Sequence, residues 1–77
     1  MTLSGTNEAF LYACESGDIN TVRSLLKQEI DLGVRDWNNW TPLHHACFNG
    51  RTKLVRLLIE KGADVEARDE DGWTPLH

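Results

Sequence analysis

Three side chains within four residues, His44, His45 and Cys47, are of the kinds that bind transition metals or assist nucleophilic attack. His44 and Cys47 stand three apart and would share a face if the segment is helical. A structural zinc site needs four such ligands at a recognisable spacing, and the sequence holds no such set. A cysteine nucleophile needs a general base beside it and a third group to orient that base. Cys14 has no histidine near it in sequence. The acidic run Asp69-Glu70-Asp71, with Asp64 and Glu66 before it, offers oxygen ligands of the calcium type. It lacks the ligand order of a calcium loop, with glycine at the sixth position and a bidentate glutamate at the twelfth, and reads as a solvated charged turn. The side chains of chemical interest thus predict no metal, no cofactor and no catalysis. The three tryptophans, Trp37, Trp40 and Trp73, are a high count for 77 residues.

What positions all of these is a repeat. Asp36-Trp37-Asn38-Asn39-Trp40-Thr41-Pro42-Leu43-His44 returns 33 positions later as Asp69-Glu70-Asp71-Gly72-Trp73-Thr74-Pro75-Leu76-His77, with six of nine residues identical. A fixed period of this length marks a repeat architecture. An earlier, divergent copy aligns without gaps: Ala13, Cys14, Gly17, Val22, Arg23, Leu25, Asp31 and Arg35 match Ala46, Cys47, Gly50, Val55, Arg56, Leu58, Asp64 and Arg68. Its start differs, since Glu8 and Ala9 stand where Thr41 and Pro42 stand later, and Asn7 is the candidate cap for its first helix.

The elements follow from capping chemistry. Thr41 is a good helix N-cap and Pro42 suits the first helical position, where a missing N–H costs nothing. A helix of about two turns should run through Leu43, His44, Ala46 and Cys47 and stop at Asn49-Gly50. A second should cover Thr52 to Lys61, with apolar Leu54, Val55, Leu57, Leu58 and Ile59 on more than one face. Residues 63–72 read as a loop, and Asp71-Gly72 as the turn of a hairpin. Asn39 takes the place of Gly72 one period earlier and is expected at positive φ.

Composition bounds the function. The chain is 40% hydrophobic and 26% charged, the balance of an ordinary globular protein, and its net charge of -4 argues against nucleic acid or an anionic membrane as partner. Its longest apolar run, Ala9 to Cys14, is far too short to span a bilayer, and the first residues lack a secretory pattern. An intracellular protein, in cytoplasm or nucleus, is expected. Cys14 and Cys47 lie one period apart; stacked repeats put equivalent atoms roughly 10 Å apart, beyond the about 7 Å between Cα atoms that a disulfide allows. Both thiols should be unpaired.

Thr41-Pro42-Leu43-His44, Ala46, Gly50, Leu57-Leu58 and Gly62-Ala63-Asp64-Val65 together resemble an ankyrin repeat. The resemblance implies an all-α ankyrin-repeat solenoid of helix-turn-helix units joined by short β-hairpin loops. Residues 1–35 would be a divergent capping repeat, 36–68 a complete repeat and 69–77 the start of a third. Departures are Asn39 for glycine, Cys47 for a small alanine, and Gln28-Glu29-Ile30 where Lys61-Gly62-Ala63 comes later. The family's Thr-Pro-Leu-His histidine implies that His44 bonds back to the turn and fixes the helix start. That task would leave Cys47 without a free base.

By the same resemblance a protein or peptide partner is held by the hairpin tips and the inner face of the first helix. Carried over by position, that face is Arg35, Trp37, Asn38, Trp40, Phe48 and Asn49, then Arg68, Glu70, Asp71 and Trp73. The first-repeat counterparts Ser4, Gly5, Asn7, Glu15 and Ser16 are small or polar. Trp40 and Trp73 either lean on each other or form an exposed platform; Trp37, nearer the tip, is the stronger binding candidate. The expected function is a non-enzymatic interaction scaffold. A rival is the regulatory or targeting segment of a larger enzyme, channel or ubiquitin-ligase adaptor with its activity beyond His77. A metal- or redox-responsive module built on Cys14 and Cys47 is a third reading. Two repeats and a stub suggest an N-terminal fragment of a longer array, with its remaining repeats as a partner. Leu57, Leu58 and parts of Phe48 and Leu54 would then be left uncovered, and low thermal stability is expected.

Overall fold

The computed structural model describes residues 5–28 and 30–76. The first-repeat position Ser4, Glu29 of the Gln28-Glu29-Ile30 departure and the repeated histidine His77 lie outside the described residues. Four α-helices occur among the described residues: α1 (Gly5–Ser16), α2 (Ile19–Leu26), α3 (Pro42–Phe48) and α4 (Thr52–Glu60). Helix α1 packs on α2 and on α3, and α3 packs on α4, so two antiparallel helix pairs stack through their first helices.

The start of α3 follows its sequence closely. Thr41 Oγ1 accepts from the His44 N–H at 3.3 Å, and Pro42 occupies the first turn. Asn49 is the C-cap, and Gly50 follows at φ 67°, a conformation that side chains oppose. Helix α4 ends one residue sooner than expected, with Lys61 as its cap and Gly62 at φ 96°.

Helix α1 corrects one expectation. Asn7 is not its cap, because the helix already runs from Gly5 and Asn7 lies inside it. Glu8 falls in the first turn, where its charge complements the helix dipole. Helix α2 has a strong cap that the alignment did not suggest: Asp18 accepts from the Thr21 N–H at 3.2 Å and from its hydroxyl at 2.6 Å. The counterpart of Asp18 one period later is Arg51, which makes no side-chain cap bond.

One core joins both pairs: Phe10, Leu11, Ala13, Cys14 and Val22 meet Leu43, Ala46, Leu54 and Leu58, with Val34 buried in the connection. Leu54 and Leu58 were expected to be uncovered and are 2% and 0% exposed. Four residues apart on α4, they form the stripe that faces this core. Among the described residues the large apolar side chains that remain open are Tyr12, Trp37, Phe48, Ile59, Trp73 and Leu76, while Leu57 is half-buried.

The connections repeat bond for bond. Asp31 Oδ1 accepts from the Gly33 N–H at 2.8 Å, as Asp64 Oδ1 does from Glu66 at 2.8 Å. No strand occurs among the described residues. Each hairpin is a single tight turn closed by Asp36 N–H to Trp40 O at 3.0 Å, or Asp69 N–H to Trp73 O at 2.9 Å. Its fourth residue, Asn39 or Gly72, takes positive φ, 64° and 79° respectively, as in three-residue hairpin loops.

Candidate functional site

Two aspartates shape the hairpins that carry most of the candidate residues. Asp36 Oδ1 accepts from the N–H groups of Asn38 at 2.9 Å and Trp40 at 3.0 Å. Asp69 Oδ1 accepts from Asp71 at 2.9 Å and Trp73 at 2.9 Å. The second oxygen of each is spent on a ring: Asp36 Oδ2 takes the His45 Nε2–H at 2.7 Å, and Asp69 Oδ2 takes the Trp40 indole N–H at 3.1 Å. Burial raises the Asp36 carboxyl, but the Trp40 N–H, His45 and the Asn38 N–H outweigh it, and the net displacement is downward. The Asp69 carboxyl is lowered chiefly by the Trp73 N–H, against a smaller opposing effect of desolvation, with help from Asp71 N–H, Trp40 and His44.

Arg35 and Arg68 turn out to be braces. The Nη1 of Arg35 donates to Asn39 O at 2.9 Å, and that of Arg68 to Gly72 O at 2.8 Å, the same bond one period on. Arg35 also reaches Arg68 O at 2.7 Å and so ties neighbouring hairpins together. Each bond goes from a charged donor to a carbonyl, which is stronger than its neutral counterpart.

His44 is 4% exposed and spans the same seam. Its Nδ1 accepts the Thr41 N–H at 3.1 Å and lies 2.8 Å from Thr41 Oγ1, and its Nε2 donates to Trp73 O at 2.9 Å. Both ring nitrogens are therefore occupied. His45 stands between two carboxylates, with Nδ1 3.6 Å from Glu15 in α1. Among the described residues no group of three or more histidine, cysteine or acidic side chains is placed to hold a metal.

The aromatic residues gather on one side. The Trp40 ring lies 5.0 Å from His45 and 5.1 Å from Phe48, both edge-on, and is roughly stacked on His44 at 6.0 Å. Trp40 and Trp73 line one groove of about 480 Å³, together with His44, Cys47, Phe48, Asp69, Asp71, Thr74 and Pro75. Phe48 is 75% exposed on its wall and Trp73 52%. Trp37 and Asn38 project from the first tip and Glu70 from the second, all exposed, with Trp37 at 74%. Asn49 folds its amide back onto His45 O at 2.9 Å.

The ten candidate positions thus divide by task. Trp40, Phe48, Asp71 and Trp73 meet in the groove, Trp37, Asn38 and Glu70 form the tips, and Arg35, Arg68 and Asn49 bond to nearby carbonyls. Sequence reasoning missed the roles of Asp36 and of Arg51, whose Nε donates to Glu15 O at 3.3 Å, and named Glu15 only as a counterpart of Phe48. The one available signal was charge: Glu15 and His45 are oppositely disposed groups on helices that the repeat stacks. Both thiols are unpaired; that of Cys14 is buried and pushed up to about 12 by desolvation, and that of half-buried Cys47 is raised for the same reason.

No helix among the described residues is long and apolar enough to cross a membrane. No curated protein matches the chain. The family model for ankyrin repeats, in three copies, matches residues 10–77. With that match spanning most of the sequence, over two stacked helix pairs and hairpins closed by the same bonds, the chain belongs to the ankyrin-repeat family.

Proposed function

We propose that this chain is a non-enzymatic scaffold that holds a protein or peptide partner against its hairpin tips and the inner face of α3. Ankyrin repeats are generally protein–protein interaction modules. The observation that carries the finer reading is the exposure of Trp37 and Trp73 on turns whose backbone is already bonded internally, and of Phe48 at the end of α3. Large aromatic side chains on a rigid base lose little freedom when a partner docks. The division into units 1–35, 36–68 and 69–77 belongs to this proposal, as does action inside the cell. The unpaired Cys14 and Cys47 are compatible with a reducing compartment.

Photoreactive amino acids placed at Asn38 and Glu70 on the tips, and separately at Arg23 and Arg56 on the exposed sides of α2 and α4, test the reading. One partner cross-linked from both tips and from neither helix position is the expected result. Adducts from the helix positions alone would overturn it. With the partner in hand, Trp37→Ala should weaken binding by about 2 kcal/mol with helix content unchanged. Lost helicity would make Trp37 a structural residue.

A further inference from the structure

Within the protein-binding reading, on which this inference rests, we infer that the groove between Trp40, Phe48 and Trp73 takes an arginine side chain from the partner. Its walls supply the two things a guanidinium uses. Trp40 and Phe48 meet edge-on at 5.1 Å and Trp73 lines the same groove, so three aromatic rings are at hand for a flat cation. Asp69 and Asp71 line the same groove, and Glu70 lies between them on the tip. The Asp69 carboxylate is fixed by three hydrogen bonds and stays ionised throughout the physiological range. Asp71 is exposed at the groove's edge.

The first repeat provides a contrast inside the same molecule. The positions that correspond to Trp40, Phe48 and Asp71 are Asn7, Glu15 and Asn38. The counterparts of Trp73 and Asp69 are Trp40 and Asp36, so what sets the second groove apart is Trp40 and Phe48 as further aromatic walls and Asp71 on its rim. Arginine suits it better than lysine, because a planar guanidinium stacks on rings while its edge bonds carboxylates. The chain's net charge of -4 draws a basic segment towards it.

The test uses acetylated, amidated glycine–serine peptides that differ only in a central arginine, lysine, citrulline or glutamate. Each is titrated to millimolar concentration into the full ¹⁵N-labelled chain, and the three indole N–H signals are followed. The expected result is that the arginine peptide shifts Trp40 and Trp73 but not Trp37, and binds about fivefold more tightly than citrulline, which keeps the planar shape without the charge. Asp71→Asn should weaken it about threefold and added salt should weaken it further. Phe48→Ala, at an exposed site, should weaken it with the fold intact.

Equal binding of citrulline and arginine, or no shift at Trp40 and Trp73, overturns the inference. Movement of those indoles with protein concentration alone would do the same, with a second copy of the chain as occupant. If the glutamate peptide binds and shifts Trp37 instead, the scaffold reading stands and the arginine groove falls.

Discussion

His44 donates through Nε2 to the carbonyl oxygen of Trp73, 2.9 Å away, and thereby joins the start of one repeat's helix to the hairpin of the next. Because its Nδ1 receives the Thr41 backbone N–H, that nitrogen carries no proton and the ring is held as the Nε2–H tautomer. Trp73 O also closes its own hairpin with the Asp69 N–H, so one carbonyl anchors two elements. The first repeat has Leu11 at this position and no such bond.

His44→Ala should therefore destabilise the chain by about 2 kcal/mol, the usual cost of stranding buried hydrogen-bonding groups. Urea denaturation followed by circular dichroism measures it. A loss under half that size would show that water takes over both bonds.

Removing the cap isolates the local share of the same arrangement. Thr41→Ala should cost about 1 kcal/mol, and Thr41→Ser should recover most of it, because only the hydroxyl is needed to receive the His44 N–H. Equal losses in both variants would shift the role of Thr41 to the packing of its methyl group.

Acid should loosen the hairpins first. The carboxyl groups of Asp36 and Asp69 lie below their ordinary value of 3.8 in the folded protein. A lowered value means that the unfolded chain binds the proton more readily. The stability they confer is thus complete well above pH 3.8 and is lost as pH falls through the lower folded values. The denaturation midpoint should fall across that window, and Asp36→Asn should flatten the fall. An unchanged slope in that variant would remove Asp36 from the account.

Gly17 and Gly50 occupy the same place one period apart, at φ 79° and 67°, yet their surroundings differ. A Cβ at Gly17 would lie 2.7 Å from Arg51 Cδ, whereas at Gly50 it meets open space. Each change to alanine should cost about 1 kcal/mol in backbone strain. Gly17→Ala should cost somewhat more, by displacing the Arg51 bond to Glu15 O. In an Arg51→Ala background the two costs should become equal, and a persistent gap would refute the role of Arg51.

The thiols should separate cleanly. At mildly alkaline pH Cys47 should react with a maleimide or disulfide reagent well before Cys14, whose thiol is buried and raised to about 12. Cys14 should react at the rate of global opening. Simultaneous labelling of both in the native state would instead favour a redox role for the pair.

Local chemistry was legible in the sequence, and contacts across the stack were not. Thr41, Pro42, Asn39 and Gly72 act through their own backbone, so residue type and spacing were enough to place them. Nothing in the sequence showed that Arg35 also donates to a carbonyl of the next hairpin, because a bond to a backbone oxygen one repeat away leaves no mark on residue type. Asp18 was hidden for the opposite reason: the alignment set it against Arg51, and a cap used in only one repeat leaves no periodic trace. Leu54 and Leu58 were read as uncovered because a broadly apolar helix does not reveal which stripe its neighbours take. For the groove, the sequence named four of the lining residues; that they meet depends on the turn of one hairpin beside one helix, which only coordinates supply.

The bond from Arg35 Nη1 to Arg68 O joins a position to its own image 33 residues on. A contact of that kind acts as a ruler, since its length and direction set the step from one tip to the next. The spacing between Trp37 and Glu70 is therefore gauged at the root of the hairpins, away from the side chains a partner would touch. Replacing Arg35 would loosen the first hairpin at Asn39 O and release the interval between the tips, so a ligand bridging both tips would register the change more than one resting on the second tip alone.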